Sequence, residues 1–150
     1  MVRNMIKSLY KSLLIAFISF LIINQNSYAD GIKVSLNGNF IEYNFQPINN
    51  SGTVLIPLRE TFEFMNANVE WIDAEKLILI TKNSKLIALK INSNIMILND
   101  ISVSTQKSVT LSQSPQIIND KTYIPLRAVA ESLNYQVEWD GENQHVIILS

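Results

Sequence analysis

"IPLRETFEFMNANVEW", residues 56–71, returns as "IPLRAVAESLNYQVEW" at residues 124–139. The spacing is 68 residues, and from 56–80 against 124–148 ten of 25 positions are identical without a gap. Each copy reads the same way. A proline opens a short helix, where its missing N–H costs nothing because it would have no intrahelical partner. Leu58, Phe62 and Met65, with Thr61 and Phe64 beside them, form one apolar stripe. Leu126, Val129, Ala130 and Leu133 form the other. Asn66 and Asn134 stop the helices, since Asn tolerates the left-handed backbone of a helix end. Val-Glu-Trp then alternates as a strand, at 69–71 and again at 137–139.

Outward from this core phrase, strands and turns complete the pattern. Residues 32–36 alternate, "NGN" at 37–39 supplies a hairpin turn, and residues 40–45 return. "QPINNSG" reads as a loop into the first proline. "DAEK" is a turn, and residues 77–81 and 86–91 form a hairpin across "KNSK". The pattern restarts at 95–98, turns at Asn99-Asp100 and returns over 101–103; the looser "LSQSPQIINDK" precedes the second helix. After the second Trp, "DGEN" turns the chain into a last strand at 146–149. "SLNG" at 35–38 answers "ILND" at 97–100, but only 62 residues apart, so the second copy has the longer loop before its helix.

The reading is an α+β fold in which a twisted antiparallel β-sheet packs around two short helices. It is built from two pseudo-symmetric hairpin-helix-hairpin repeats at about 32–91 and 95–150. Units of about 60 residues are marginal alone, so the copies are expected to share one core.

The first 29 residues read differently. Arg3, Lys7 and Lys11 precede an apolar run at 13–23, and Ser27 and Ala29 are small residues at signal-peptidase spacing. Residues 1–29 are read as a secretory signal peptide, leaving 30–150 as one domain with no membrane segment after cleavage. An uncleaved anchor is the alternative, although the run is short of the roughly 20 residues a span needs. The leader holds three of the 12 Lys and Arg and none of the 13 acids, which leaves residues 30–150 with a net charge of −4. That balance offers no footprint for nucleic acid and no polybasic patch for anionic lipid. Cysteine is absent, so neither a disulfide framework nor a lipidated cysteine is available.

The doubled Pro-Leu-Arg, the short amphipathic helix and the Val-Glu-Trp strand, set after a Leu-Asn-Gly hairpin, resemble the copper amine oxidase N-terminal domain-like, or stalk domain, family. The resemblance covers about 32–150. The family usually has Gly where Asn66 and Asn134 stand, and Ile72 separates Trp71 from Asp73 where the second copy keeps Trp139-Asp140. The resemblance implies an extracellular, secreted or wall-associated module of the kind common on Gram-positive surfaces, which spaces, dimerises or attaches. It implies no copper or quinone chemistry, which belongs to a separate catalytic domain.

The motif residues are therefore read as structural: Pro57, Leu58, Arg59, Glu63 and Trp71, with Pro125, Leu126, Arg127, Glu131 and Trp139. Each Arg faces a Glu four residues on, and further bonds to strand carbonyls, or to Glu70 and Glu138, are expected to make it a clamp rather than an anion site. Each Trp shares a face with a Val and is assigned to the core rather than to a sugar platform. His145, the lone histidine, is a strand residue without the companions a metal or a triad needs. No nucleophile or zinc motif is present, so no catalytic, cofactor or metal residue is assigned. The expected function is a non-enzymatic cell-envelope stalk, spacer or binding domain. Its partners are a cell-wall polymer or an envelope protein. Two alternatives remain: a self-associating module, a homodimer formed through a sheet edge such as 32–36, and a small wall-acting hydrolase.

Overall fold

Two strands that run straight into helices organise the molecule. In a computed structural model, which describes residues 31–150, strand β4 (Thr53–Pro57) leads into helix α1 (Leu58–Phe64), and β11 (Lys121–Pro125) into α2 (Leu126–Ser132). The expected signal peptide and its cleavage point lie outside the described residues. β4 and β11 pair antiparallel with Ile56 opposite Ile124, Leu55 opposite Pro125 and Pro57 opposite Tyr123. The same register sets residues of the repeated phrase directly against each other. Ile56 and Ile124 are both fully buried.

The prolines stand one place earlier than expected. Pro57 (φ −59°, ψ 117°) and Pro125 (φ −68°, ψ 111°) are the last strand residues and the helix N-caps. A fixed φ near −65° suits both states, and a residue at the junction has no helical partner for an N–H. Both helices then end alike. Asn66 (φ 56°) and Asn134 (φ 69°) are left-handed. The next amides, of Ala67 and Tyr135, bond back to Phe62 and Ala130 at 2.8 and 3.1 Å, while the Asn amides reach Glu63 and Glu131. This is the doubled wrap of a Schellman ending. The expected stripes are buried except for Phe64, which is 42% exposed. Thr61 is buried with its hydroxyl satisfied, donating to the Pro57 carbonyl (2.9 Å) and bonding the Tyr43 hydroxyl (2.8 Å).

Around this centre lie eleven further strands: β1 (Lys33–Leu36), β2 (Asn39–Phe40), β3 (Ile48–Asn50), β5 (Asn68–Ile72), β6 (Leu77–Lys82), β7 (Lys85–Lys90), β8 (Ile95–Asp100), β9 (Thr105–Thr110), β10 (Gln116–Ile118), β12 (Gln136–Asp140) and β13 (His145–Leu149). Among the described residues the fold is α+β and mostly antiparallel β-structure with two short helices. The expected single sheet is instead three: β12-β13-β1-β2, β10-β11-β4-β3 and β5-β6-β7-β8-β9. One pairing is parallel, β1 with β13, in register from Lys33 opposite His145 to Leu36 opposite Ile148. Parallel neighbours need a long connection, and here nearly the whole domain supplies it.

Several segments differ from the sequence expectation. Part of "QPINNSG" is β3, and part of the looser second loop is β10; both are three-residue strands pairing at sheet edges. The 40–45 return is only the two-residue β2, although its turn is as expected, with Asn37 at φ 49° and Gly38 at φ 83°. Asn99-Asp100 stays within β8, and the turn falls at 101–104 before β9. β1 is not an edge: β13 and β2 cover both its sides.

Core residues from all three sheets and both helices form one cluster. Alternation along β6, β7 and β8 stacks Ile78, Leu89 and Met96 in one buried row. α1 packs on β5 and on β11, and α2 on β12 and on β4, so each helix lies against a strand of the other copy of the phrase. The β6–β7 hairpin joins both helix ends. Lys82 donates to the Met65 carbonyl (2.6 Å), and its cross-strand partner Lys85 donates to Ser132 O (2.8 Å) and Asn134 Oδ1 (2.7 Å). A cation at a helix C-terminus is favourably placed against the helix dipole. Neither helix is long and apolar enough to cross a membrane.

Candidate functional site

Two grooves are cut where each helix start and its Trp strand face a hairpin from the other half of the chain. One, of about 390 Å³, is formed by Pro125 to Ala128 at the start of α2, by Val137 and Trp139 of β12, and by the β3–β4 hairpin from Asn49 to Val54. The other, of about 480 Å³, is formed by Pro57 to Glu60, by Val69 and Trp71 of β5, and by residues 117–122 of the β10–β11 hairpin. Arg59, Val69 and Trp71 stand 68 positions before Arg127, Val137 and Trp139. The hairpin walls correspond at the same spacing. Both volumes fall in the range of small-ligand sites.

The tryptophans divide over their core assignment. Trp139 is 37% exposed. The Val-Glu-Trp alternation places Val137 and Trp139 on one face, but the strand outruns the core and only Val137 is buried. Trp139 pairs across the ladder with buried Val146, and its indole nitrogen lies beside Gly141, where an added Cβ would stand 3.4 Å away. Trp71 is half-buried against the core, and its indole N–H donates to Asp73 at 3.3 Å.

The arginines divide similarly. Each pairs with its i+4 glutamate at 3.4 Å, Arg59 with Glu63 and Arg127 with Glu131, on exposed side chains. Such pairs contribute about 0–0.5 kcal/mol. Arg127 also donates to the Val137 carbonyl at 2.5 Å, joining α2 to β12. No strand carbonyl bond to Arg59, and no pairing of either Arg with Glu70 or Glu138, is found among the described residues. Pro57, Leu58, Pro125 and Leu126 form the groove floors and junctions, and both Leu are buried.

The walls set the electrostatics. The Trp71 groove carries Arg59, Glu60, Asp120 and Lys121. Lys121 Nζ stands 4.5 Å from the Phe45 ring centre. Glu60 accepts from Asn44 at 3.2 Å through one oxygen, and its other carboxylate oxygen is buried without a partner. Burial pushes the nearby Tyr43 phenol well above its usual range, opposed by its Thr61 bond and reinforced by Glu60. The Trp139 groove has Ala128 in place of Glu60, and Gly52 and Thr53 in place of Asp120 and Lys121.

His145 begins β13. Its Nε2 bonds the Ser35 hydroxyl at 2.8 Å across the parallel pair, and its ring packs on Phe40 with centres 5.1 Å apart. This Ser–His contact carried no sequence signal, since the residues lie 110 apart. Ser35 is 2% exposed. Asp140, opposite His145 in the ladder, is committed to its own turn: it accepts from the Glu142 and Asn143 amides and the Asn143 side chain. The Asn143 bonds hold its carboxyl below the usual range. The three groups form a strand tie and a turn, not a nucleophile with its base and orienter. Among the described residues, no three or more His, Cys, Asp or Glu gather to hold a metal ion.

The profile of the copper amine oxidase N-terminal domain matches residues 35–148, and the chain belongs to that family. The domain it describes is the non-catalytic N-terminal part of those oxidases. A search of curated proteins finds no match.

Proposed function

We propose that the chain is a non-enzymatic, secreted module of the cell envelope that holds a cell-wall polymer in its grooves, serving as a stalk or attachment domain. The observation that carries this reading is the pair of grooves, each joining a Trp, an Arg and a polar hairpin wall from distant parts of the chain. The leader-like residues 1–29 support export. We read the two copies as halves related by a pseudo-twofold axis passing near the Ile56–Ile124 pair. The reciprocal register of Leu55 with Pro125 and of Pro57 with Tyr123 supports that axis.

Co-sedimentation of residues 30–150 with isolated cell-wall sacculi tests the reading. Saturable retention that survives moderate salt is the expected outcome. Protein left in the supernatant at every sacculus concentration would sink it.

A second reading, self-association or a protein partner, is favoured by β9. This six-residue strand is an exposed sheet edge, and the turn leading into it shows Ile101 at 68% and Val103 at 63% exposure. It predicts a concentration-dependent dimer in sedimentation velocity, abolished by Ser108→Pro. A monomer at high concentration would remove the self-association form of this reading.

A further inference from the structure

The two grooves share their framework but not their chemistry, and the difference selects a ligand. The apolar lining of the Trp139 groove is Val54, Leu126 and Val146 together with the exposed indole. The rim is polar and nearly neutral. Asn49 uses its side-chain oxygen to accept from the Gly52 amide (2.9 Å), which leaves its NH₂ to donate. Thr53 donates to the Ser112 hydroxyl (3.1 Å), which leaves the Ser112 proton and a Thr53 lone pair. Among the described residues its charges are Arg127, already bonded to Glu131 and the Val137 carbonyl, and Glu138.

An anion would meet Glu138 and an arginine partly spent, so anionic ligands are disfavoured. A cation would meet Arg127. What fits is an uncharged molecule with one apolar face for the indole and hydroxyls that both donate and accept around its edge. A pyranose ring has that shape and chemistry. The Trp71 groove offers four charged residues around a tryptophan tied to Asp73, and an uncharged sugar would have to strip water from those charges with little return.

We infer that the Trp139 groove is a subsite for an uncharged pyranose unit of a glycan, and that the Trp71 groove is not. This deepens the wall-polymer reading and rests on it for its biological setting.

The chain has two tryptophans, one per groove, so Trp71→Phe and Trp139→Phe each leave a single reporter. Each variant is titrated with a soluble N-acetylglucosamine tetramer while its tryptophan emission is followed, and thermal melts verify folding. The expected result is a saturable emission change in the Trp71→Phe protein and none in Trp139→Phe. In the Trp71→Phe background, Asn49→Ala should weaken the apparent affinity several-fold. No change in Trp71→Phe up to millimolar sugar, or a saturable change in Trp139→Phe, overturns the assignment. Sacculus sedimentation separates the two ideas. Wild-type retention without any sugar response in Trp71→Phe sinks the subsite and keeps wall binding. A sugar response without retention sinks wall binding and keeps the subsite.

Discussion

The Trp139 and Trp71 grooves keep Pro, Leu, Arg, Val and Trp at matching positions, yet their hairpin walls run Asn-Gly-Thr in one and Ile-Asp-Lys in the other, at 49, 52, 53 and at 117, 120, 121. The conserved letters are those that make the backbone: the strand-to-helix junction and the ladder that follows. The divergent letters sit on hairpin surfaces, where a side chain changes charge without moving the frame. A repeated phrase in this chain is thus a statement about scaffold, and the unrepeated residues beside it are the ones free to specialise.

The comparison breaks first in the core. Position 62 is Phe and its counterpart at 130 is Ala, both fully buried. Phe62→Ala should therefore cost about 3–5 kcal/mol, whereas Ile56→Ala and Ile124→Ala, on opposing strands, should cost about 2–5 kcal/mol each and agree within roughly 1 kcal/mol. Denaturant melts measure all three. A large inequality between the two isoleucine variants would mean that the halves contribute unequally at their shared strand pair.

Helix endings come next. Asn66→Ala and Asn134→Ala force alanine into the left-handed region and should each cost about 1 kcal/mol, while Asn→Gly at either site should be neutral or stabilising. The arginines sharpen the contrast at smaller scale. Arg127→Lys loses the carbonyl bond to β12 and should destabilise by about 1 kcal/mol; Arg59→Lys should change stability by less than about 0.5 kcal/mol. Equal effects would show that the Val137 bond contributes nothing. Glu60→Ala, which copies the Ala128 position, removes a buried carboxylate oxygen without a partner and should leave the melting temperature unchanged or raise it.

The smallest effect is acidic. Asp100, held low first by the Ser102 hydroxyl, and Asp140, held low first by the Asn143 side chain, have folded pKa values below those of the unfolded chain. Their contribution is complete above the ordinary Asp value of about 4 and is lost as pH falls through the lower folded values. Asp100→Asn with Asp140→Asn should flatten the acid limb of stability below about pH 4; an unchanged limb would show that these turns do not set it.

Much of this was legible because it is local. A proline before a helix, an Asn after it and a β-hairpin Asn-Gly are decided by neighbouring dihedrals, and the structure has each of them. β3 and β9 were not legible: Ile48–Asn50 and "TQKSVT" are too polar to resemble strands, and only their neighbours in the sheet make them so. The parallel β1–β13 pair leaves no trace in sequence because its partners lie about 110 residues apart. The same reason hid the grooves. Trp139 was assigned to the core from its alternation with Val137, which fixes the face of a strand but not how far the core extends beneath it. The hairpin that makes it half of a groove lies at 49–54.

That parallel pair has a mechanical meaning. β1 and β13 run side by side in the same direction, so the chain enters at Lys33 at one end of the pair and leaves past Leu149 at the other. Tension between those points slides one strand along the other instead of peeling them apart. The bonds from Lys33 to Gln144 O and from Asn37 to Ile148 O, with the ladder between them, then bear the force together. The Ser35–His145 and Asn37–Ser150 side-chain bonds bear it with them. Extension of the domain is therefore governed by the shear strength of this one short ladder rather than by its total free energy of folding.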